Sequence, residues 1–160
     1  MVSIVIIGII LSFATLSIGD GGQSRHLKQQ VQQLTALLNL ASQTAILQGK
    51  EIGVIFTQKN IHFYLWQNQD WRLLSHDDVF YPRAFAPNIQ MTLSIEGETV
   101  AIDKVACKET SACKPQILLL SSGELTPFEL TLTVTSSALV YQLVGTLTSV
   151  EYSLKQTESN

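Results

Sequence analysis

The sequence predicts an α+β fold in which one long N-terminal helical region precedes an antiparallel β head, built as one sheet or as a sandwich. Two observations support this prediction. Apolar residues recur every three to four positions before Gly49, and every second position in several segments after Ile52. An amphipathic helix followed by seven or eight antiparallel strands is an α+β arrangement. The 160 residues suffice for one domain with a sizeable core.

The first element is an uncharged segment from Met1 to Ile18, in which 13 of 18 residues are apolar. A membrane helix needs about 20 such residues, with about 17 as the lower limit, so this segment is long enough to span a bilayer. Its apolar residues lie on every helical face, which favours lipid over the alternative of a buried core helix. We therefore expect residues 1–23 to form the membrane-spanning half of a stalk.

The second half of the stalk is an amphipathic helix over residues 24–49. The cluster Gly19-Asp20-Gly21-Gly22 should kink or weaken the preceding helix and mark a joint. Ser24 is the predicted N-cap and Gly49 the predicted stop. We expect the apolar stripe to pack on one face of a sheet. Its members are Leu27, Val31, Leu34, Leu38, Ala41, Ala45 and, at the end, Leu47 or Gln48.

The head comprises residues 24–155, with its strands between 51 and 155, and 156–160 form a polar tail. Clean alternation over 61–67, 89–95 and 128–134 predicts strands with one buried face, whereas the apolar run at 116–120 indicates burial on both faces. The remaining predicted strands are 52–56, 71–74, 139–147 and 150–154.

The composition excludes two classes of protein. Charged residues make up 14% of the chain, below the roughly 25% of a typical soluble domain, and hydrophobic residues make up 46%. Such a chain is too hydrophobic to be disordered. A net charge of −3 argues against nucleic-acid binding, which depends on clustered Lys and Arg. The polar surface is instead supplied by 14 Gln, 15 Ser and 14 Thr.

Cys107 and Cys113 frame a short polar loop between predicted strands. A zinc site generally needs four ligands, and this chain has neither a second cysteine pair nor a histidine close by in sequence. We therefore expect no metal ion. A disulfide between the two residues is favoured over two free thiols, provided that the compartment is oxidising.

No motif in the sequence predicts catalysis or cofactor binding. His76-Asp77-Asp78 contains the residue types of an acid/base or metal cluster, but it follows a strand and is more typical of a solvated turn. The sequence of the segment 121–124 predicts a tight turn between strands. Phosphate-binding loops, nucleophile elbows and zinc-protease motifs are absent from the sequence. We expect a non-enzymatic protein without a cofactor.

The order of these features resembles the type IV pilin-like proteins, and in detail the minor pseudopilin H family (GspH/FimT-type) of bacterial type II secretion. The stretch SSGELTPFELTL at 121–132 is the most particular to this family and to the FimT-type minor pilins. The other matching segments are 40–56, 71–74 and 80–93.

This resemblance implies a structural subunit near the tip of the pseudopilus, which helps to export folded proteins across the outer membrane. It implies a single-pass inner-membrane protein with a periplasmic head. Its partners would be the major pseudopilin and the minor tip subunits, and also secreted substrates. A minor pilin of a type IV pilus is the alternative within the same fold, and a membrane-anchored periplasmic module that binds a small ligand is the alternative outside it.

Two further expectations follow from the resemblance. Family members begin with a basic leader ending in Gly and carry a glutamate just after the cleavage point, whereas this sequence starts within the apolar run at Met1; we expect that its first residues are missing. On the head, aromatic side chains are candidate interface anchors, with core packing as the alternative. These residues are Trp66, Trp71, Phe80, Tyr81 and Phe85.

Overall fold

The computed structural model describes residues 21–107, 113–135 and 137–156, which form helix α1 (Gly21–Gln48) and then ten strands. The predicted order of helix and antiparallel strands is confirmed. The predicted span from Met1 to Ile18 lies outside these ranges, and no helix within them has the length and hydropathy to cross a membrane. The strands are β1 (Ile52–Phe56), β2 (Asn60–Gln67), β3 (Asp70–Leu73), β4 (Arg83–Ala84), β5 (Ile89–Ile95), β6 (Glu98–Val100), β7 (Ile117–Leu119), β8 (Phe128–Val134), β9 (Leu139–Gly145) and β10 (Val150–Gln156).

The strands form two five-stranded antiparallel sheets. Sheet A has the order β3-β2-β1-β7, with β4 paired to the start of β2, and sheet B has the order β10-β9-β8-β5-β6. Inward-facing residues of both sheets and the apolar stripe of α1 belong to one core cluster. The expectation that α1 packs on one sheet face is therefore wrong. The helix contacts β8, β9 and β10 of sheet B and also β1 and β7 of sheet A.

The stripe of α1 is buried from Leu27 to Ala45. Leu47 and Gln48, the predicted alternatives for its last position, are both exposed, so that part of the prediction is wrong. Val31, Leu38, Ala41 and Ala45 have no exposed surface, and Leu27 has almost none. The two alanines permit close approach of the helix backbone to the strands because their side chains are short.

The end of α1 is fixed by Gly49. This residue has φ of +62°, its N–H donates to the carbonyl of Ile46 at 3.3 Å, and the N–H of Lys50 donates to the carbonyl of Ala45 at 3.1 Å. This pair of bonds is a Schellman motif, so the predicted stop is confirmed. The predicted start is wrong, because α1 already includes Gly21 and Ser24 lies inside the helix.

Asn39 ties α1 to the edge of sheet B. Its side-chain amide donates to the carbonyl of Val150 at 2.8 Å, and its amide oxygen accepts from the N–H of Val150 at 3.0 Å. Val150 begins β10, the edge strand beside the helix, so Asn39 satisfies backbone groups that point out of the sheet. Gln32, two turns earlier, donates to the Tyr152 hydroxyl at 3.0 Å.

The chain between β6 and β7 crosses from sheet B to the outer face of sheet A; we call its described parts, 101–107 and 113–116, the strap. The N–H of Gln58 donates to the carbonyl of Asp103 at 3.0 Å, and the Tyr64 hydroxyl donates to that of Cys107 at 3.1 Å. Pro115 lies directly over Gly53. The strap explains why consecutive residues of β2, from Ile61 to Tyr64, are all buried despite their alternating pattern.

Replacing Gly53 by alanine tests the contact between the strap and sheet A. A Cβ at this position would clash with Cγ of Pro115, so the strap would have to move. We expect the free energy of unfolding to fall by about 1–3 kcal/mol, measured by urea denaturation. Gly22→Ala is the matched control, since nothing lies within 4 Å of its added methyl group. This control should be neutral or stabilising by up to about 1 kcal/mol, and equal losses in both variants would contradict the assignment.

Asn39→Ala tests the bond between helix and edge strand. It leaves the N–H and carbonyl of Val150 without their partner, which should lower the free energy of unfolding by about 1–3 kcal/mol. Amide hydrogen exchange at Val150 should also accelerate relative to strands in the sheet centre. Gln43→Ala, on the exposed side of the same helix, should leave both measurements unchanged.

Candidate assembly surface

The side of α1 that faces away from the head carries a second regular row of residues. Gln33, Ala36, Leu40, Gln43 and Leu47 are all exposed and follow one another at spacings of three and four, so they lie on one helix face; we call this row the outer seam. Leu40 is 43% exposed and Leu47 is 86% exposed. The seam contains apolar and amide side chains without a charge. Its spacing is the one by which helices pack side by side.

The segment 121–132 occupies the junction between the two sheets, at the C-terminal end of α1. A turn closes with the N–H of Leu120 donating to the carbonyl of Glu124 at 2.8 Å, and Gly123 adopts φ of +93° there. Thr126 then holds β7: its hydroxyl accepts from the N–H of Leu118 at 3.1 Å, and its N–H donates to the carbonyl of Leu118 at 3.0 Å. The prediction of a tight turn at 121–124 is confirmed.

Two of the five candidate aromatic residues form a pair at the β2–β3 hairpin. The rings of Trp66 and Trp71 have centroids 5.1 Å apart, with Trp66 exposed and Trp71 half-buried beside the strap. The hairpin turn between them, Asn68-Gln69, has positive φ at both residues, 55° and 63°, as a two-residue type I′ turn requires. This pairing places both indoles on the same face of sheet A.

The other three candidate aromatics lie around β4 in different environments. Phe80 is a core residue, only 5% exposed and packed against Phe63 with ring centroids 5.3 Å apart, so it does not belong to a surface. Tyr81 is exposed, with the Arg83 guanidinium 4.7 Å from its ring centroid. Phe85 is half-buried and lines an open cavity of about 800 Å³ between β4 and the β5–β6 pair.

The segment from His76 to Asp78 is a turn, as predicted. A side-chain oxygen of Asp77 accepts from the N–H groups of Val79 and Phe80, both at 2.8 Å, which directs Phe80 into the core. Within the described ranges no group of three or more His, Cys, Asp and Glu side chains is arranged to hold a metal ion. Cys107 and Cys113 are brought together as two thiols at the strap.

A small cavity of about 100 Å³ lies between α1 and β4. Gln30 and Arg83 both line it, and the side-chain oxygen of Gln30 and Nε of Arg83 are buried without a hydrogen-bond partner among the protein atoms. The Gln30 oxygen is a hydrogen-bond acceptor, and Nε of Arg83 is a donor. The cavity therefore has the size and the polarity for water molecules that bridge the helix to the strand.

A family model described as Type II transport protein GspH matches residues 30–149. The chain belongs to the GspH family. It is 28% identical to type II secretion system protein H of Pseudomonas aeruginosa, covering 82% of this chain and 77% of that one. The corresponding protein of Aeromonas hydrophila is 25% identical, with 80% and 73% covered.

Solved structures share the fold of this GspH-family chain. The crystal structure of the minor pseudopilin EpsH from the type II secretion system of Vibrio cholerae superposes with a TM-score of 0.65 at 21% identity, covering 85% of this chain and 98% of that one. The solution structure of GspH from E. coli gives 0.63 at 18% identity, with 86% and 94% covered. These likenesses establish the architecture of one helix on two sheets.

His62 is the buried histidine of this GspH-family head. It lies on β2 opposite Ile55, on the strap side of sheet A, and its Nδ1 is buried without a hydrogen-bond partner. Burial lowers the pKa of His62 below its ordinary value of 6.5, because the charged imidazolium loses hydration there. The neutral side chain of His62 therefore contributes packing, and no charge, on the strap side of sheet A.

The lowered pKa makes folding stability depend on pH. Well above pH 6.5 His62 is neutral in both states and contributes no pH dependence, whereas as the pH falls through 6.5 the unfolded chain binds a proton that the folded chain resists. Thermal denaturation should therefore show decreasing stability as the pH falls from 7.5 to 5. His62→Gln should flatten this slope, and His26→Gln on the exposed side of α1 should keep it. A wild-type slope in the His62 variant would refute the assignment.

Proposed function

We propose that this chain is a structural minor pseudopilin, which assembles near the tip of the type II secretion pseudopilus and helps to export folded proteins across the outer membrane. Membership of the GspH family supports the secretion system. Its relatives, a type II secretion system protein H and a minor pseudopilin, support the role of a fibre subunit. In this proposal the protein has neither a catalytic function nor a cofactor.

The outer seam is the observation that carries the proposal. One side of α1 is fully used in holding the two sheets together, so the residues on the opposite side are not needed for folding of the head. Leu40 and Leu47 nevertheless expose large apolar side chains there. Burial of Leu47 would contribute about 1.5–3 kcal/mol, and burial of the part of Leu40 that is still exposed would contribute about half as much. Ala36 gives the seam a point of close approach.

A neighbouring stalk helix is the occupant that fits this seam. The spacing of three and four residues matches the ridge of another helix, and the absence of charge in the seam avoids like-charge repulsion between related subunits. Gln33 and Gln43 can form hydrogen bonds across the contact. Contacts of Trp66 and Tyr81, the two exposed candidate aromatics, with other subunits or secreted substrates belong to the same proposal.

The proposal includes an inner-membrane stage. Met1 to Ile18 would lie in lipid before assembly, with the head in the periplasm, and the same apolar surface would pack among other stalks in the fibre. The uncharged sequence of this segment supports the proposal. Assembly would then exchange lipid contacts for protein contacts and leave the head on the outside of the fibre.

Acidic substitutions in the outer seam test the function. In a strain that lacks the chromosomal copy and expresses the complete coding sequence, Leu40→Glu and Leu47→Glu should reduce the activity of secreted enzymes in the medium by about tenfold, because a carboxylate in an apolar helix contact loses its hydration. Val105→Glu is the matched control, since Val105 is 73% exposed on the strap, over the outer face of sheet A. Immunoblots should show equal amounts of all variants.

Two outcomes would contradict this function. Normal secretion by both seam variants would show that the seam is not an assembly contact, and equal loss in the Val105 variant would show that the effect is not specific to the seam. A photo-crosslinking amino acid at position 40 should give adducts with other pseudopilins, and one at position 105 should not.

A further inference from the structure

The two cysteines occupy the strap at the point where it crosses Tyr64. The Tyr64 hydroxyl donates to the carbonyl of Cys107 at 3.1 Å. Cys113 forms a small buried cluster with Ile55 and Tyr64, against which Cys107, Trp71 and Leu73 pack. This cluster is separate from the main core, on the opposite face of sheet A.

The two thiols differ in their access to solvent. Cys113 is 4% exposed, whereas Cys107 is only half-buried. Burial, together with the neighbouring Cys107 sulfur, raises the pKa of the Cys113 thiol to about 12. A dissolved oxidant therefore reaches Cys107 first, and Cys113 reacts only with what is already bound beside it.

We propose that Cys107 and Cys113 are an oxidisable dithiol that forms an intramolecular disulfide, with Cys107 as the entry thiol and Cys113 as the resolving thiol. The oxidant is a disulfide, either of a small thiol compound or of a protein. The Cys107 thiolate attacks one oxidant sulfur, forms a mixed disulfide and releases the first oxidant thiol. Cys113 then loses its proton to solvent and attacks Sγ of Cys107, and the second oxidant thiol leaves. The chain loses two hydrogen atoms and the oxidant gains them.

The disulfide would fix the strap over sheet A. Among the described residues, the strap is also held there by hydrogen bonds at Gln58 and Tyr64 and by the contact of Pro115 with Gly53. Gln116 adds further bonds: its side-chain oxygen accepts from the N–H of Phe56 at 2.7 Å, and its own N–H donates to the carbonyl of Val54 at 3.0 Å. A covalent link between residues 107 and 113 closes a short ring, so its effect is local but independent of those bonds. This proposal does not depend on the proposed assembly function, since it concerns only the head.

Oxidised glutathione provides the test of both the bond and the order of attack. The purified full chain is reduced in detergent, freed of reductant, incubated with oxidised glutathione, quenched with an alkylating agent and measured by intact mass at successive times. Wild type should pass through one glutathione adduct, which peptide mapping places on Cys107, and end with two hydrogens lost and no alkylatable thiol. Resolution of this adduct should accelerate about tenfold for each pH unit, since that is the increase in the thiolate fraction below the pKa.

Single variants separate the two roles. Cys113→Ser should accumulate a stable adduct on Cys107, whereas Cys107→Ser should stay largely unmodified until denaturant exposes Cys113. Equal reaction rates in the two variants would overturn the order of attack, and wild type that ends with two adducts or two alkylatable thiols would overturn the disulfide. The oxidised wild type should melt about 5 °C above the reduced form. The double variant Cys107→Ser/Cys113→Ser should melt at the same temperature with and without oxidant.

Discussion

The packing of α1 between the two sheets is the contact on which the rest of this head depends. Each sheet has an apolar inner face, and the stripe around Leu38 and Ala41 touches strands of both. Neither sheet would bury that face on its own. Because Asn39 also fixes the edge strand β10, the helix has one orientation relative to the head. The direction in which the outer seam faces is therefore set by the core packing. A displacement of α1 would be transmitted directly to the head.

The outer faces of the two sheets differ in their residue composition. Sheet A is covered by the strap and by aromatic side chains, whereas the outward positions of sheet B are occupied by hydroxyl and amide residues such as Thr92, Thr131 and Gln142. Gln142 is itself buried and donates to a carboxylate oxygen of Glu129 at 2.8 Å. Neutral polar groups thus supply much of this face, which contributes to the low charge content of the chain. Such a face is compatible with close approach of many kinds of protein surface.

Periodicity was sufficient for the helix and for the longer strands, because these elements are long enough for a pattern to repeat, whereas the three-residue β7 was predicted from an apolar run. β4 and β6, with two and three residues, are too short to show alternation. Phe80 could not be assigned to the core, since its position depends on the Asp77 turn rather than on a strand pattern. The spacing of Leu40 and Leu47 in the sequence is compatible with the outer seam, but the glutamines around them make the pattern hard to recognise. The hydrogen bonds between Asn39 and Val150 could not be predicted from any local sequence pattern, because 111 residues separate the two positions.

The interleaving of the two sheets has a consequence for how this chain folds. β1 receives its second neighbour only when β7 is in place, and Gln116, which extends that pairing, follows Phe56 by 60 residues. Strands β5 and β6 of the other sheet lie between them in sequence. Neither sheet is thus a continuous stretch of chain, and the head should fold in one cooperative step with high contact order and correspondingly slow kinetics. During synthesis, one edge of β1 stays open until Leu119 has emerged from the ribosome, and over that interval it is a site for mispairing with other nascent chains.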